Sequence, residues 1–177
     1  EALAPDDPVA EHLLGWLEER AERWDAAMAR YEGALARGHA SSRWSRTLLL
    51  RRTGRDEEAL VELQAQAREG SIRAMRVLGQ ILADGQLGAA QDAEAARWLT
   101  QAWEGGDERA AVHLAELAAA GRGVVRDPGA ALQLLEAARR KLEKKNAREL
   151  LARAARLAIE LGDEEARRRW APLLESE

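Results

Sequence analysis

Small and large apolar residues recur three and four positions apart along the chain. Ala95, Leu99 and Ala102 form one such series, with mostly polar residues between them. This spacing places the apolar side chains on one face of an α-helix. Gly, Pro, Asp and Ser interrupt the pattern at short intervals, as is typical of helix ends. The sequence therefore predicts many short helices joined by tight turns.

These interruptions predict ten helices. Asp7 caps the first helix and Pro8 begins it, and Ser41 or Ser42 caps the third. Asn146 with Glu149 is typical of a capping box. The predicted helices are 8–22, 24–37, 41–54, 56–70 and 71–85, then helices opening at Asp92, Asp107, Asp127 and Asn146, and a last one after Gly162-Asp163 that Pro172 ends or bends.

Several stretches of the chain repeat one another. The stretch 74–85 matches 110–121 at an offset of 36 residues, and 92–102 matches 127–137 at an offset of 35. That difference predicts the loss of one residue in the loop between them. A sparser pair, 24–34 and 56–67, aligns Ala27 with Ala59 at an offset of 32. Because small residues recur where helix backbones cross closely, each repeat is predicted to be one of five helical hairpins.

Composition supports an all-α protein. The sequence shows no linker long enough to divide residues 1–177 into separate domains. The 177 residues are 46% hydrophobic and 33% charged, include no Cys, and carry a formal net charge of −4. Ala, Leu, Glu and Arg, which dominate, are strong helix formers. The charge gives no overall basic footprint for nucleic acid, and no stretch is long and apolar enough for a membrane span. The chain opens on Glu1 rather than Met, which indicates a processed or trimmed fragment.

The repeat residues carry a family resemblance. The stretch 70–140, with Ala74, Leu78-Gly79, Gly85 and the loop Gly121-Arg122-Gly123, resembles Sel1-like repeats. Residues 9–69 are similar to tetratricopeptide units, and 146–174 look like a degenerate closing unit. The resemblance implies a right-handed α-solenoid of about five helix-turn-helix repeats whose concave face binds peptides or proteins. It brings no catalytic residues, so a non-enzyme is expected.

Few residues are arranged for metal or catalytic chemistry. His12, His39 and His113 match no metal-ligand spacing, so structural or surface roles are expected. Gly121-Arg122-Gly123 lacks the further glycine and preceding strand of a dinucleotide loop and is interpreted as a turn. Ser41 lies near His39 without a nucleophile elbow. No cofactor and no metal are predicted.

Tryptophans are the most informative side chains. Trp24, Trp98 and Trp170 are predicted to pack inside hairpins. If Ala27 and Ala59 occupy equivalent positions, Trp16 and Trp44 fall on the inner face of their helices, with Leu48 one turn after Trp44. These three are predicted to anchor a partner; alternatively, the tryptophans cover an open end or pack between repeats. The polar residues predicted on the same face are His12, Glu19, Arg51, Arg76, Gln80, Glu116 and Arg156.

One basic run stands out in the acidic chain. It could contact an acidic partner or nucleic acid. The preferred interpretation is a helix C-terminus whose cations complement the helix dipole. The run consists of Arg139, Arg140, Lys141, Lys144, Lys145 and Arg148.

The favoured functional hypothesis is a scaffold or adaptor that binds a peptide or protein in its concave groove. A glycan-binding component of a bacterial envelope complex and a regulatory region of a larger enzyme are the alternatives. The polar residues of the last helix predict a capped end and a monomer that joins a larger complex. The compartment is left open, with the bacterial periplasm or envelope preferred to the cytoplasm.

Overall fold

The computed structural model describes residues 7–85, 91–144, 148–162 and 164–174. Within these ranges the chain forms ten α-helices and no strand, as predicted. They are α1 (Pro8–Arg20), α2 (Trp24–Ala36), α3 (Ser42–Arg52), α4 (Asp56–Arg68), α5 (Ile72–Asp84), α6 (Asp92–Glu104), α7 (Glu108–Ala120), α8 (Pro128–Lys144), α9 (Arg148–Leu161) and α10 (Glu164–Trp170). A 3-10 turn, Ala171–Leu173, follows α10 and contains Pro172. None of the described helices is long and apolar enough to cross a membrane.

Most predicted helix starts carry the expected cap. The side chains of Asp7, Ser71, Asp107 and Asp127 each accept a hydrogen bond from a backbone amide of the following turn. Ser41 occupies the N-cap position of α3 as predicted, but its side chain makes no capping hydrogen bond, and the residues before Ser42 form a tight turn. Asn146 of the proposed capping box lies outside the described residues.

Helix ends follow a shared turn geometry. At the end of α2 the amide of His39 bonds the carbonyl of Ala34, and Gly38 between them adopts φ 89°. The same geometry closes α1, but there Glu22 occupies the left-handed position at φ 57°. A side chain at such an angle is disfavoured by contact of its Cβ with the backbone. Glu22 nevertheless adopts this conformation, and the resulting turn ends α1 at Arg20, two residues before the predicted end.

The chain divides into two compact units, residues 1–63 and 64–177, with the boundary inside α4. In unit 1, α1 packs on α2 and α2 on α3. Ala27, Tyr31 and Leu49 form its buried centre, with Trp24 and Met28 against it. Gly15 of α1 lets the Tyr31 ring approach, because a Cβ at residue 15 would lie 2.7 Å from that ring.

Unit 2 contains hairpins α5–α6 and α7–α8, followed by α9 and α10. Ala95, Leu99 and Ala102 of α6 are fully buried, as predicted. The predicted offset of 35 for α8 is wrong. Its buried residues are Ala131, Leu135 and Ala138, which correspond to those of α6 at an offset of 36. The doublets Ala130-Ala131, Leu134-Leu135 and Ala137-Ala138 fit both registers in sequence, and burial selects the later residue each time.

The loop Gly121-Arg122-Gly123 is a structural turn, as interpreted from the sequence. Gly121 ends α7 at φ 69°. Arg122 holds the turn in place: its guanidinium donates to the Asp92 carboxylate and, at 2.5 Å, to the Ala83 carbonyl. Gly123 lies so close to the Asp92 backbone that a Cβ would come within 2.1 Å of the Asp92 carbonyl carbon. These contacts fix the α7–α8 loop against the start of α6.

The C-terminal helix of unit 2 has a polar outer surface. Trp170 is fully buried, as predicted for a hairpin tryptophan, and its indole N–H donates to Glu136 at 2.7 Å. The exposed residues of α10 are all charged: Glu164, Glu165, Arg167, Arg168 and Arg169. Charged groups on an outermost helix cover the apolar core beneath them.

Candidate functional site

Exposed large hydrophobic residues are concentrated in unit 1. Seven of the nine found in the described part of the chain belong to it, and five of those lie on α1. Isolated exposed apolar residues are ordinary, whereas a cluster marks an interaction surface. The seven are Val9, Leu13, Leu14, Trp16, Leu17, Leu48 and Val61; the other two are Ile72 and Val125.

Two side-chain contacts join α1 and α3. His12 Nδ1 is 2.9 Å from Ser42 Oγ, and Arg52 pairs with Glu19 at 3.3 Å. Glu19 also accepts a hydrogen bond from the Tyr31 hydroxyl at 2.8 Å, so burial and this bond both raise the pKa of Tyr31. The side chains of His12 and Glu19 therefore already contact neighbouring helices.

Trp16 and Leu48 both lie between these two links, one on each helix. Trp16 is 47% exposed and Leu48 41%, the exposure predicted for anchors. The Arg20 guanidinium stacks 5.0 Å from the centre of the Trp16 ring. Trp44 is half-buried and, like Arg51, already makes an interaction within the chain. Of the three predicted anchors, Trp16 and Leu48 are the more accessible.

The other predicted polar residues lie in unit 2, where ion pairs engage two of them. Arg76 pairs with Asp107 at 2.9 Å, and both side chains are largely buried. Glu116 pairs with Arg153 and lies 3.7 Å from His113. Burial raises the pKa of Glu116, but the hydrogen bonds and charges of His113 and Arg153 outweigh burial and lower it. Gln80 is half-buried and Arg156 is exposed.

A buried polar cluster in unit 1 was not predicted from the sequence. Ser42 is fully buried, and its Oγ lies 2.9 Å from His12 Nδ1 and 2.8 Å from His39 Nδ1. Because a hydroxyl has one hydrogen, one neutral imidazole accepts from Ser42 and the other donates to it. The buried hydroxyl cannot reach a substrate, so its role is structural. Burial, followed by the charge of His39, lowers the pKa of His12.

The described residues of the basic run have different surroundings. Arg139 pairs with Glu136 at 3.5 Å and its guanidinium lies 5.8 Å from the Trp170 ring. Lys141 is near the Trp103 ring, at 6.0 Å. Arg140 and Arg148 are exposed, Lys145 lies outside the described residues, and the side chain of Lys144 is not described. No group of three or more metal-binding side chains occurs in the described ranges.

Comparisons with known proteins agree with the helical-hairpin architecture. No family model and no curated protein sequence matches the chain. A Sel1 repeat protein from Oxalobacter formigenes superposes with a TM-score of 0.72 and 20% identity, over 95% of this chain and 72% of its own. The chain has the Sel1-like repeat fold. A protective antigen of uropathogenic Escherichia coli with an SLR fold superposes with a TM-score of 0.62 and 24% identity, over 96% of this chain and 41% of its own.

The Sel1-like repeat fold confirms the all-α repeat class and the resemblance found in residues 70–140. At these identities the likeness concerns the fold, so the binding residues have to be argued from this chain alone. The sequence also contained an unused signal: Val9, Leu13 and Leu17 recur every fourth residue on α1, away from Gly15, its one buried residue.

Proposed function

We propose that this chain is a non-catalytic protein-binding module, a scaffold or adaptor whose partner is a peptide or protein held on unit 1. Trp16 and Leu48 are the principal anchors, and Trp44 supports them from within the surface. The observation that carries the proposal is the concentration of exposed large apolar residues in unit 1. Such anchors dominate the binding energy of protein interfaces when a partner buries them.

Charge has a smaller part in this binding than the sequence suggests. The charge of Arg76 is already balanced by Asp107, and that of Glu116 by Arg153. An acidic partner group would have to displace these pairs, which costs free energy. Apolar contact at Trp16 and Leu48 therefore supplies the affinity, and polar residues around them adjust specificity.

Glycan binding receives less support from the geometry. Sugar rings stack on exposed aromatic faces, but cations already lie over several of the rings. Arg20 covers Trp16 and Arg52 covers Trp24 at 4.8 Å, while Trp170 is fully buried. A sugar would have to displace these guanidinium groups before it could stack.

A capture experiment with matched variants tests the proposal. The chain is immobilised and exposed to extract of its native organism, and retained proteins are quantified by mass spectrometry. We expect Leu48→Asp to lose the retained partner at least about tenfold, because a charge replaces an apolar anchor. Trp16→Ala should lose less, since only part of its ring is free.

Val125→Asp is the matched control, because Val125 is 87% exposed and belongs to unit 2. Circular dichroism should show equal helix content and equal melting for all variants. The proposal fails if the same proteins are retained by the wild-type chain and Leu48→Asp, or if Val125→Asp causes an equal loss.

A further inference from the structure

The exposed apolar face of α1 extends from Trp16 over four further residues. Val9, Leu13 and Leu17 are spaced four residues apart and Leu14 flanks them; we call these four the α1 stripe. Each is 40–51% exposed. Gly15, the one buried residue of α1, lies well around the helix from Val9, Leu13 and Leu17 at 100° per residue. No described element covers the stripe.

Opposite charges mark the two ends of the α1 stripe. At its start, Asp7 accepts a hydrogen bond from the Val9 backbone amide at 2.8 Å, which holds the carboxylate at the N-terminus of α1. At its end, the exposed Arg20 forms no ion pair among the residues that the structure describes. Thirteen helical residues separate the two groups by roughly 20 Å, so they cannot pair within one chain.

We propose that a second copy of this chain covers the α1 stripe, with the two α1 helices antiparallel about a two-fold axis near Leu13. Leu13 is six residues from Asp7 and seven from Arg20, so this axis places Asp7 of one copy beside Arg20 of the other, twice per dimer. A two-fold interface requires such self-complementarity. Rows of residues four apart also form the ridges that interlock when helices pack.

This interface goes beyond the proposed function because it uses neither Leu48 nor Trp44, although Trp16 lies beside the stripe, about 20° around the helix from Val9. It also differs from the monomer expected from the polar C-terminal helix. That expectation holds for the outer surface of α10, which is charged, whereas α1 presents apolar side chains. Four half-exposed side chains per copy make a small interface, so the dimer is weak, with dissociation in about the micromolar to sub-millimolar range.

Sedimentation equilibrium of the full chain measures the association. We expect the average mass to rise from 19.5 kDa toward twice that value as concentration increases from about 5 µM to about 500 µM. Leu13→Glu should hold the mass at the monomer value throughout. Val125→Glu makes the same apolar-to-acidic change at an exposed residue of unit 2, so this variant should associate like the wild type.

A pair of charge variants tests the antiparallel arrangement. Asp7→Asn keeps an N-cap side chain but removes the charge, so it should weaken association about three- to tenfold through two lost ion pairs. In an Arg20→Glu background the same Asp7→Asn change should strengthen association, because it removes two like-charge contacts. This reversal requires Asp7 and Arg20 of different copies to meet.

Three results would overturn the proposal: a wild-type chain that stays at 19.5 kDa at every concentration, equal association of Leu13→Glu and Val125→Glu, or weakening by Asp7→Asn in both backgrounds. The first two would assign the α1 stripe to a different protein or to a further repeat. Loss of dimerisation with partner capture intact would separate this interface from the proposed binding function.

Discussion

The two units differ in how much of the surface of their helices they bury. In unit 2, nine of the thirteen residues of α7 are buried, including Glu108 and His113. In unit 1, α1 has the same length and only Gly15 is buried. Helices with neighbours on both sides contribute to the core over most of their surface, whereas α1 leaves one side apolar and open.

This contrast separates the residues that stabilise the fold from those that we propose to bind a partner. Burial of apolar area stabilises a fold, and in unit 2 large apolar residues are buried or partly buried around alanine-lined helix crossings. Unit 1 keeps comparable residues accessible, where they add little to folding and are available to a partner. Side chains of similar chemistry therefore hold the chain together in one unit and present a surface in the other.

The largest expected effect is the difference in unfolding free energy lost when leucine is replaced by alanine in unit 2 and in unit 1. Leu135→Ala removes a fully buried side chain from unit 2 and leaves a cavity, so it should lower the free energy of unfolding by about 2–4 kcal/mol. Leu13→Ala removes an exposed side chain and should cost below about 0.5 kcal/mol. Urea unfolding of both variants at the same low protein concentration measures both; equal losses would contradict the contrast.

A smaller effect should strengthen unit 1. Glu22→Gly places glycine at the φ of 57° that ends α1, so it should stabilise the chain by about 1 kcal/mol. Gly54→Ala is the reciprocal control: φ is 74° and a Cβ there meets nothing within 4 Å, so backbone conformation alone should cost about 1 kcal/mol. Thermal and urea unfolding measure both changes. An unchanged or less stable Glu22→Gly would show that the turn is unstrained.

The smallest effect is a pH dependence confined to unit 1. Because the pKa of His12 is lowered in the folded chain, the unfolded chain binds a proton more tightly. Stability contributed by this group is present above its ordinary pKa of 6.5 and is lost as pH falls through the folded value. His12→Asn should flatten this part of the curve between pH 7 and 5. Hydrogen exchange in α1 and α3 at each pH measures it, and an unaltered slope would contradict the assignment.

Much of the fold was readable from local sequence. Asp7, Asp107 and Asp127 cap helices as predicted, because a cap depends on residues next to it in the chain. The register of α8 could not be predicted from the sequence, because its paired alanines and leucines fit two repeat offsets equally well. Only the packing of a neighbouring helix determines which residue of each pair is buried. Helix spacing is local information, whereas the choice between adjacent apolar residues depends on packing.

The candidate site was less predictable for the same reason. Trp16 and Leu48 are exposed as expected, but the engagement of Arg76 by Asp107 joins residues 31 positions apart. The Ser42 cluster likewise joins α1 to α3 across 30 residues. Charge pairing and buried hydrogen bonds depend on partners distant in sequence. The exposure of a side chain is therefore poorly predicted from its residue type alone.

Site-specific photo-cross-linking in the native organism tests most directly whether unit 1 is the binding surface. A photoreactive amino acid is placed at position 48 in one variant and at position 125 in another, both exposed apolar positions. We expect position 48 to yield a discrete adduct with one partner protein and position 125 to yield none. Adducts of the same protein at both positions, or at position 125 alone, would contradict the account.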